Sequence, residues 1–133
     1  MRIPTISRAF VVDGTGQGAI QEIPIPKIGP DDVLIRMEGI YGCAGGDTIV
    51  YSGKHPHSIG KYPLILGHEG VGVVAAIGDG AARRRGLKTG DRVAVEVMIP
   101  CDTSAADACE QCRAGEYQLC ERNQQHGVSM PLS

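Results

Sequence analysis

The chain has 133 residues, 42% of them hydrophobic and 21% charged, with a net charge of −2. That is long enough to bury one core, and too nearly neutral for nucleic acid or an anionic membrane to be its main partner. No apolar run approaches the ~18 residues of a membrane span, and MRIPTISRAFVV lacks the apolar stretch and cleavage site of a secretory leader. A single domain (1–133) in a cytoplasm that keeps thiols reduced is therefore expected.

Gly is abundant at 19 residues, with 8 Pro, no Trp and one Phe, a balance that suits short strands joined by tight turns. The first strand is expected at Ala9–Val12, ending in the turn DGTGQG. AIQEIPIP follows, and Pro24 and Pro26 confine it to a sheet edge. DDVLIRMEGI alternates, with Val33, Ile35 and Met37 on one face and Arg36 and Glu38 on the other. GGDTIVYSG reads as one short helical turn closed by Gly53, and a loop with His55, His57 and Pro63 leads into the Val- and Gly-rich LILGHEGVGVVAAIG. ARRRGLKTGDRVAVEVMIP reads as a turn and then a strand. No helical periodicity lasts three turns and no repeat is present, so the expected class is mainly β with short helices.

ACEQCRAGEYQLC carries Cys109, Cys112 and Cys120, a C-x2-C pair with a third thiol seven residues on. Zinc takes four ligands in a tetrahedron, and a C-x2-C pair turns two sulfurs to one side. Cys101 is the only nearby thiol left for the fourth vertex. The rival readings are a disulfide, which reducing surroundings disfavour, and four buried structural cysteines, which the polar Asp102, Asp107, Glu110, Gln111 and Arg113 disfavour.

This segment after GDRVAVEVMIPC, with GHEGVGVV some thirty residues earlier, resembles the zinc-dependent medium-chain alcohol dehydrogenases. DDVLIRMEGI, YSGKHP, YPLILGHEG and GLKTGDRV are similar to the same N-terminal domain, from about Arg8 to Ser129. The resemblance implies a GroES-like contorted β-barrel with a zinc-bearing cysteine lobe at about 100–121. It also marks a departure. Cys101 and Cys109 are separated by the seven residues DTSAADA, where the family spaces its first two lobe cysteines closely. An insertion that keeps Cys101 as ligand is expected, with Asp102 or Asp107 as the lesser candidates.

The resemblance further implies a second, catalytic zinc with an open coordination position, acting as a Lewis acid on an alcohol that gives hydride to a nicotinamide. His68 of GHEG is then a ligand and Glu69 lies beside the metal or ligates it. Taken alone, a His in a glycine-flanked strand is more often structural. Cys43 is the expected second ligand and Asp47 a supporting residue, although they stand four apart where the family has three. Aligned forward from GI, Tyr41 would take the ligand position instead. The bland alternative makes Cys43 a small hydrophobe in a glycine-rich turn.

Gly46 stands where the family has a Ser or Thr hydroxyl for the substrate oxygen, and Ile49 where a His often relays the proton. Thr48 or His55 is the candidate replacement, a departure from the family's usual relay. His57 and His126 read as loop residues.

GTGQGA, residues 14–19, imitates the G-x-G-x-x-A dinucleotide fingerprint, but IQEIPIP after it cannot open a helix. It is expected to be a turn, and no other segment fits a cofactor unit. In the family that unit follows this domain and commonly builds the homo-oligomer. The expectation is thus the catalytic domain of a zinc-dependent NAD(P)-linked alcohol or polyol dehydrogenase, taking a small alcohol or carbonyl substrate and inactive alone. The alternative is a non-catalytic zinc-stabilised protein-interaction module. A co-chaperonin-like ring subunit shares the fold, but nothing in one needs the cysteine lobe or GHEG.

Overall fold

A computed structural model of the chain describes residues 2–54, 62–96, 100–101, 108–122 and 130–131. In chain order the elements are β1 (Ile6–Val12), β2 (Gly18–Pro24), β3 (Val33–Tyr41), α1 (Asp47–Tyr51), β4 (Leu64–Ile65), β5 (Glu69–Ile77), α2 (Asp79–Arg85), β6 (Arg92–Ala94), α3 (Glu110–Arg113), a 3-10 turn (Tyr117–Leu119) and β7 (Met130–Pro131). The strands form two antiparallel sheets, of order β2-β1-β4-β7 and β3-β5-β6. The Pro-bearing β2, which ends at Pro24, is an edge strand, as its proline requires.

The glycine run between β1 and β2 is a hairpin turn, not a phosphate loop. One Asp13 carboxylate oxygen accepts from both the N–H and the hydroxyl of Thr15, each at 2.8 Å, and these bonds hold the Asp13 carboxyl below its ordinary value. Gly14 and Gly16 take φ of 79° and 85°, which side-chain-bearing residues rarely adopt. The chain then enters an antiparallel strand paired with β1, so no helix N-terminus faces the glycines.

Two expectations from the pattern are corrected. The β3 ladder slips between Leu34 and Ile35 and again between Met37 and Gly39, which breaks the alternation of Val33, Ile35 and Met37. Met37 is consequently 40% exposed, although its terminal methyl fills the space that a Cβ on Gly70 would take. ARRR is part of helix α2 rather than a turn. Asp79 in its first turn and Arg83–Arg85 in its last complement the helix dipole, and Gly86 ends it in the left-handed conformation at φ 63°.

LILGHEGVGVV divides at Leu66–His68 into β4 and the longer β5, with Gly67 at φ 106° turning the chain between them. His68 and Glu69 therefore sit where the chain passes from one sheet to the other. Val12, Val50 and Leu64 make the core between the four-stranded sheet and α1, with Tyr51 and Leu66 packed against it. Leu64 is 1% exposed, so Leu64→Ala should cost about 2–5 kcal/mol in chemical denaturation. Ile20→Ala on the edge strand, at 64% exposure, should stay within about 0.5 kcal/mol of wild type. Equal losses would contradict this placement of the core.

Candidate metal centres

The cysteine segment closes on itself. Cys109 precedes α3 and Cys112 lies within it, so one helical turn brings their sulfurs together, and Arg113 N–H bonds the Cys109 carbonyl at 3.1 Å. Gly115, at φ 86°, reverses the chain, and the 3-10 turn delivers Cys120. Cys109, Cys112 and Cys120 are buried and pack with the half-buried Cys101.

All four sulfurs lie within 4.8 Å of one another, and those of Cys101 and Cys120 are 3.6 Å apart. All are free thiols. A tetrahedron with Zn–S of ~2.3 Å has edges of about 3.8 Å, so the donor set and spacing fit that ion. Asp102 and Asp107 lie outside the described residues, as do His55, His57 and His126.

The thiols differ in proton affinity. Burial, with the Cys120 and Cys109 thiols beside it, pushes Cys112 up to about 12. Burial also raises Cys120, but the backbone N–H groups of Arg122 and Cys101 and the adjoining thiols outweigh it and bring Cys120 down to about 6. The Cys112 and Glu121 backbone N–H groups hold Cys109 below its ordinary value. Amide donors thus favour thiolate here, the form a metal requires.

The second centre draws on three segments. Cys43 follows β3, Asp47 opens α1, and His68 immediately precedes Glu69, the first residue of β5. Their meeting point is the Asp47 carboxylate, 6% exposed. One of its oxygens accepts the Cys43 N–H at 2.8 Å, and the other lies 3.2 Å from His68 Nδ1. Asp47 N–H returns a bond to the Cys43 carbonyl at 2.9 Å. Against a carboxylate that only accepts, Nδ1 is the donor, and the neutral tautomer that fits this contact presents the Nε2 lone pair on the side of Glu69, whose Oε1 is 3.8 Å away. The Cys43 sulfur, a His68 ring nitrogen and a Glu69 oxygen all lie within 4.8 Å of one another. The His68 side chain is 10% exposed and that of Glu69 49%, so the cluster opens to solvent on the Glu69 side.

The extra residue between Cys43 and Asp47 is absorbed in the turn at 44–46 that leads into α1. That turn aims the Gly46 N–H at the Cys43 sulfur, 3.4 Å away, a contact that no spacing rule in the sequence signals. Tyr41, the alternative from forward alignment, ends β3 with 69% exposure. Gly46 offers only its backbone, Ile49 is 40% exposed, and Thr48 faces solvent.

Two antiparallel β sheets with a four-cysteine lobe, and a Cys–His–Glu cluster where the chain crosses between the sheets, are the architecture of a GroES-like dehydrogenase domain. Residues 29–130 match the alcohol dehydrogenase GroES-like domain, and the chain belongs to that family. It is 39% identical over 124 residues to the "Probable alcohol dehydrogenase adh" of Mycobacterium tuberculosis, covering 93% of this chain and 30% of that protein. It is 38% identical over 117 residues to a sorbitol dehydrogenase of Bombyx mori, covering 87% of this chain and 31% of that one. Among solved structures, the alcohol dehydrogenase TADH from Thermus sp. ATN1 superposes with a TM-score of 0.71 at 35% identity, over 87% of this chain and 30% of that chain. The fold is the GroES-like catalytic domain of the medium-chain, zinc-dependent alcohol dehydrogenases. The chain spans about 30% of the length of these relatives.

Removing the Asp47 carboxylate strands two part-buried donors, one on Cys43 and one on His68. Asp47→Ala should therefore lose about 1–3 kcal/mol in urea denaturation, whereas Glu22→Ala, at an exposed position of the edge strand, should change stability by less than about 0.5 kcal/mol.

Proposed function

We propose that this chain is the metal-bearing catalytic domain of a zinc-dependent dehydrogenase that moves hydride between an alcohol or polyol and NAD(P). The observation that carries the reading is the convergence of Cys43, His68 and Glu69 on one site fixed by Asp47. Cys101, Cys109, Cys112 and Cys120 would hold a second, structural zinc. Five free thiols suit a cytoplasmic, reducing setting.

Zinc at the Cys43–His68 site supplies Lewis-acid polarisation of the substrate oxygen. Everything else rests on the chain's own groups. Asp47 fixes the His68 ring through Nδ1 and so turns Nε2 toward the metal position. The Gly46 N–H bonds the Cys43 sulfur and helps fix its position. Glu69 lines the open side, where substrate enters and where it can ligate. With Gly46 and Ile49 at the two relay positions, the substrate proton passes to water at that open side.

The nicotinamide has no place among the described residues, because the one glycine fingerprint is a hairpin turn. We assign it to a further segment, consistent with relatives of which this chain spans 30%, and the homo-oligomer contacts to the same segment. A second reading, a zinc-stapled module that binds a protein partner, draws on the missing Gly46 hydroxyl and the lengthened Cys43 loop.

Elemental analysis of the purified chain separates the two. The catalytic reading expects two zincs, one lost in Cys109→Ser and the other in His68→Ala, and no alcohol oxidation by the 133-residue chain with added NAD(P). One zinc, lost only with Cys109→Ser, would favour the stapled module. NAD-dependent turnover by the chain alone would refute the placement of the nicotinamide.

A further inference from the structure

The glycine turn at 13–18 is a hairpin turn whose residues are spent on one contact. It lies against the C-terminal end of α1, where the Gly16 N–H donates to the Tyr51 carbonyl at 2.9 Å. A Cβ on Gly53 would collide with the Gly14 carbonyl, so both glycines are needed for the approach. Tyr62 closes the same contact from the far side. Its ring covers Gly14, where a Cβ would stand 2.6 Å away, and its hydroxyl donates to the Val50 carbonyl. Phe10 of β1 stacks on Tyr51 with ring centroids 6.5 Å apart.

Helix α1 has five residues, far below the ~12–15 that make a helix self-supporting. Its last carbonyls, on Val50 and Tyr51, are met by Tyr62 and the turn, while its first residue is Asp47. The two ends are about 6 Å apart along the axis. Whatever fixes the C-terminal end therefore fixes the carboxylate that touches both Cys43 and His68.

We propose that Tyr62 and the 13–18 turn are positioning elements for the Cys43–His68–Glu69 site, acting through α1 on Asp47. The inference rests on the metal reading above only for its consequence, the tuning of metal affinity. The placement of Asp47 is independent of it and is read separately.

The direct test is amide hydrogen exchange by NMR on the full chain. The readout is the ratio of exchange at the Cys43 and Asp47 amides to that at β3–β5 amides. Tyr62→Phe deletes only the hydroxyl, and the loss of one hydrogen bond should raise the ratio roughly fivefold. Gly53→Ala, which forces the turn off the helix with Tyr62 intact, should do the same. Val74→Ala in β5, a buried position in the other sheet, destabilises the chain without touching α1 and should not raise the ratio.

Cobalt added to chain whose cysteine lobe is filled with zinc reports the second site through its thiolate absorption band. Tyr62→Phe should weaken that binding by a similar factor, and Val74→Ala should not. An unchanged exchange ratio in Tyr62→Phe or in Gly53→Ala overturns the inference. A raised ratio in both, with no cobalt band even in wild type, upholds the positioning role and removes the metal reading.

Discussion

A single buried carboxylate holds the Cys43–His68 region together. Asp47 reaches the Cys43 amide on one side and the His68 ring on the other, 21 residues further along the chain. Burying a charge is costly unless its lone pairs are met, and here both oxygens are. The residue therefore links the end of β3, the start of α1 and the start of β5 in one geometry. Cys43 and Glu69 reach the same position only because this link sets the direction of each segment.

The two clusters illustrate two ways of gathering ligand-type side chains. The lobe needs little tertiary support, because one helical turn, a glycine reversal and a 3-10 turn gather Cys109, Cys112 and Cys120 within twelve residues, leaving only Cys101 to arrive from further away. Its donors are all sulfur, and burial with amide donors sorts them into thiols of unequal acidity. The second site depends on two sheets, a short helix and a hairpin turn being in register. It also keeps one face open beside Glu69, which a saturated structural site has no use for.

The lobe was legible in the sequence because its ligands are local and their spacing encodes the turn. The mainly β class, the edge strand at Pro24 and the short helix before Gly53 followed from proline, glycine and alternation. The β3 register was not legible, since two ladder slips depend on Gly70 and Gly72 in a partner strand admitting Met37 and the Arg36 backbone. Nor was α2, whose Gly-Ala-Ala-Arg run sits among turn residues and gains its helix from the dipole-matched ends and the Arg84–Asp31 pair at 2.8 Å. Cys43 and His68 could be matched to a family motif, but the lengthened loop left their meeting open. Spacing cannot say that a three-residue turn absorbs the extra residue and aims the Gly46 amide at sulfur. The contact of Tyr62 and the 13–18 turn with α1 joins segments far apart in the chain, beyond any local pattern.

X-ray absorption at the zinc edge of the zinc-loaded chain tests the central claim, that Asp47 assembles a metal site of mixed donors beside the all-sulfur lobe. The account predicts a sulfur shell at ~2.3 Å and a nitrogen–oxygen shell at ~2.0–2.1 Å, the second lost in His68→Ala. A single all-sulfur shell, unchanged by His68→Ala, would confine zinc to the cysteine lobe and contradict it.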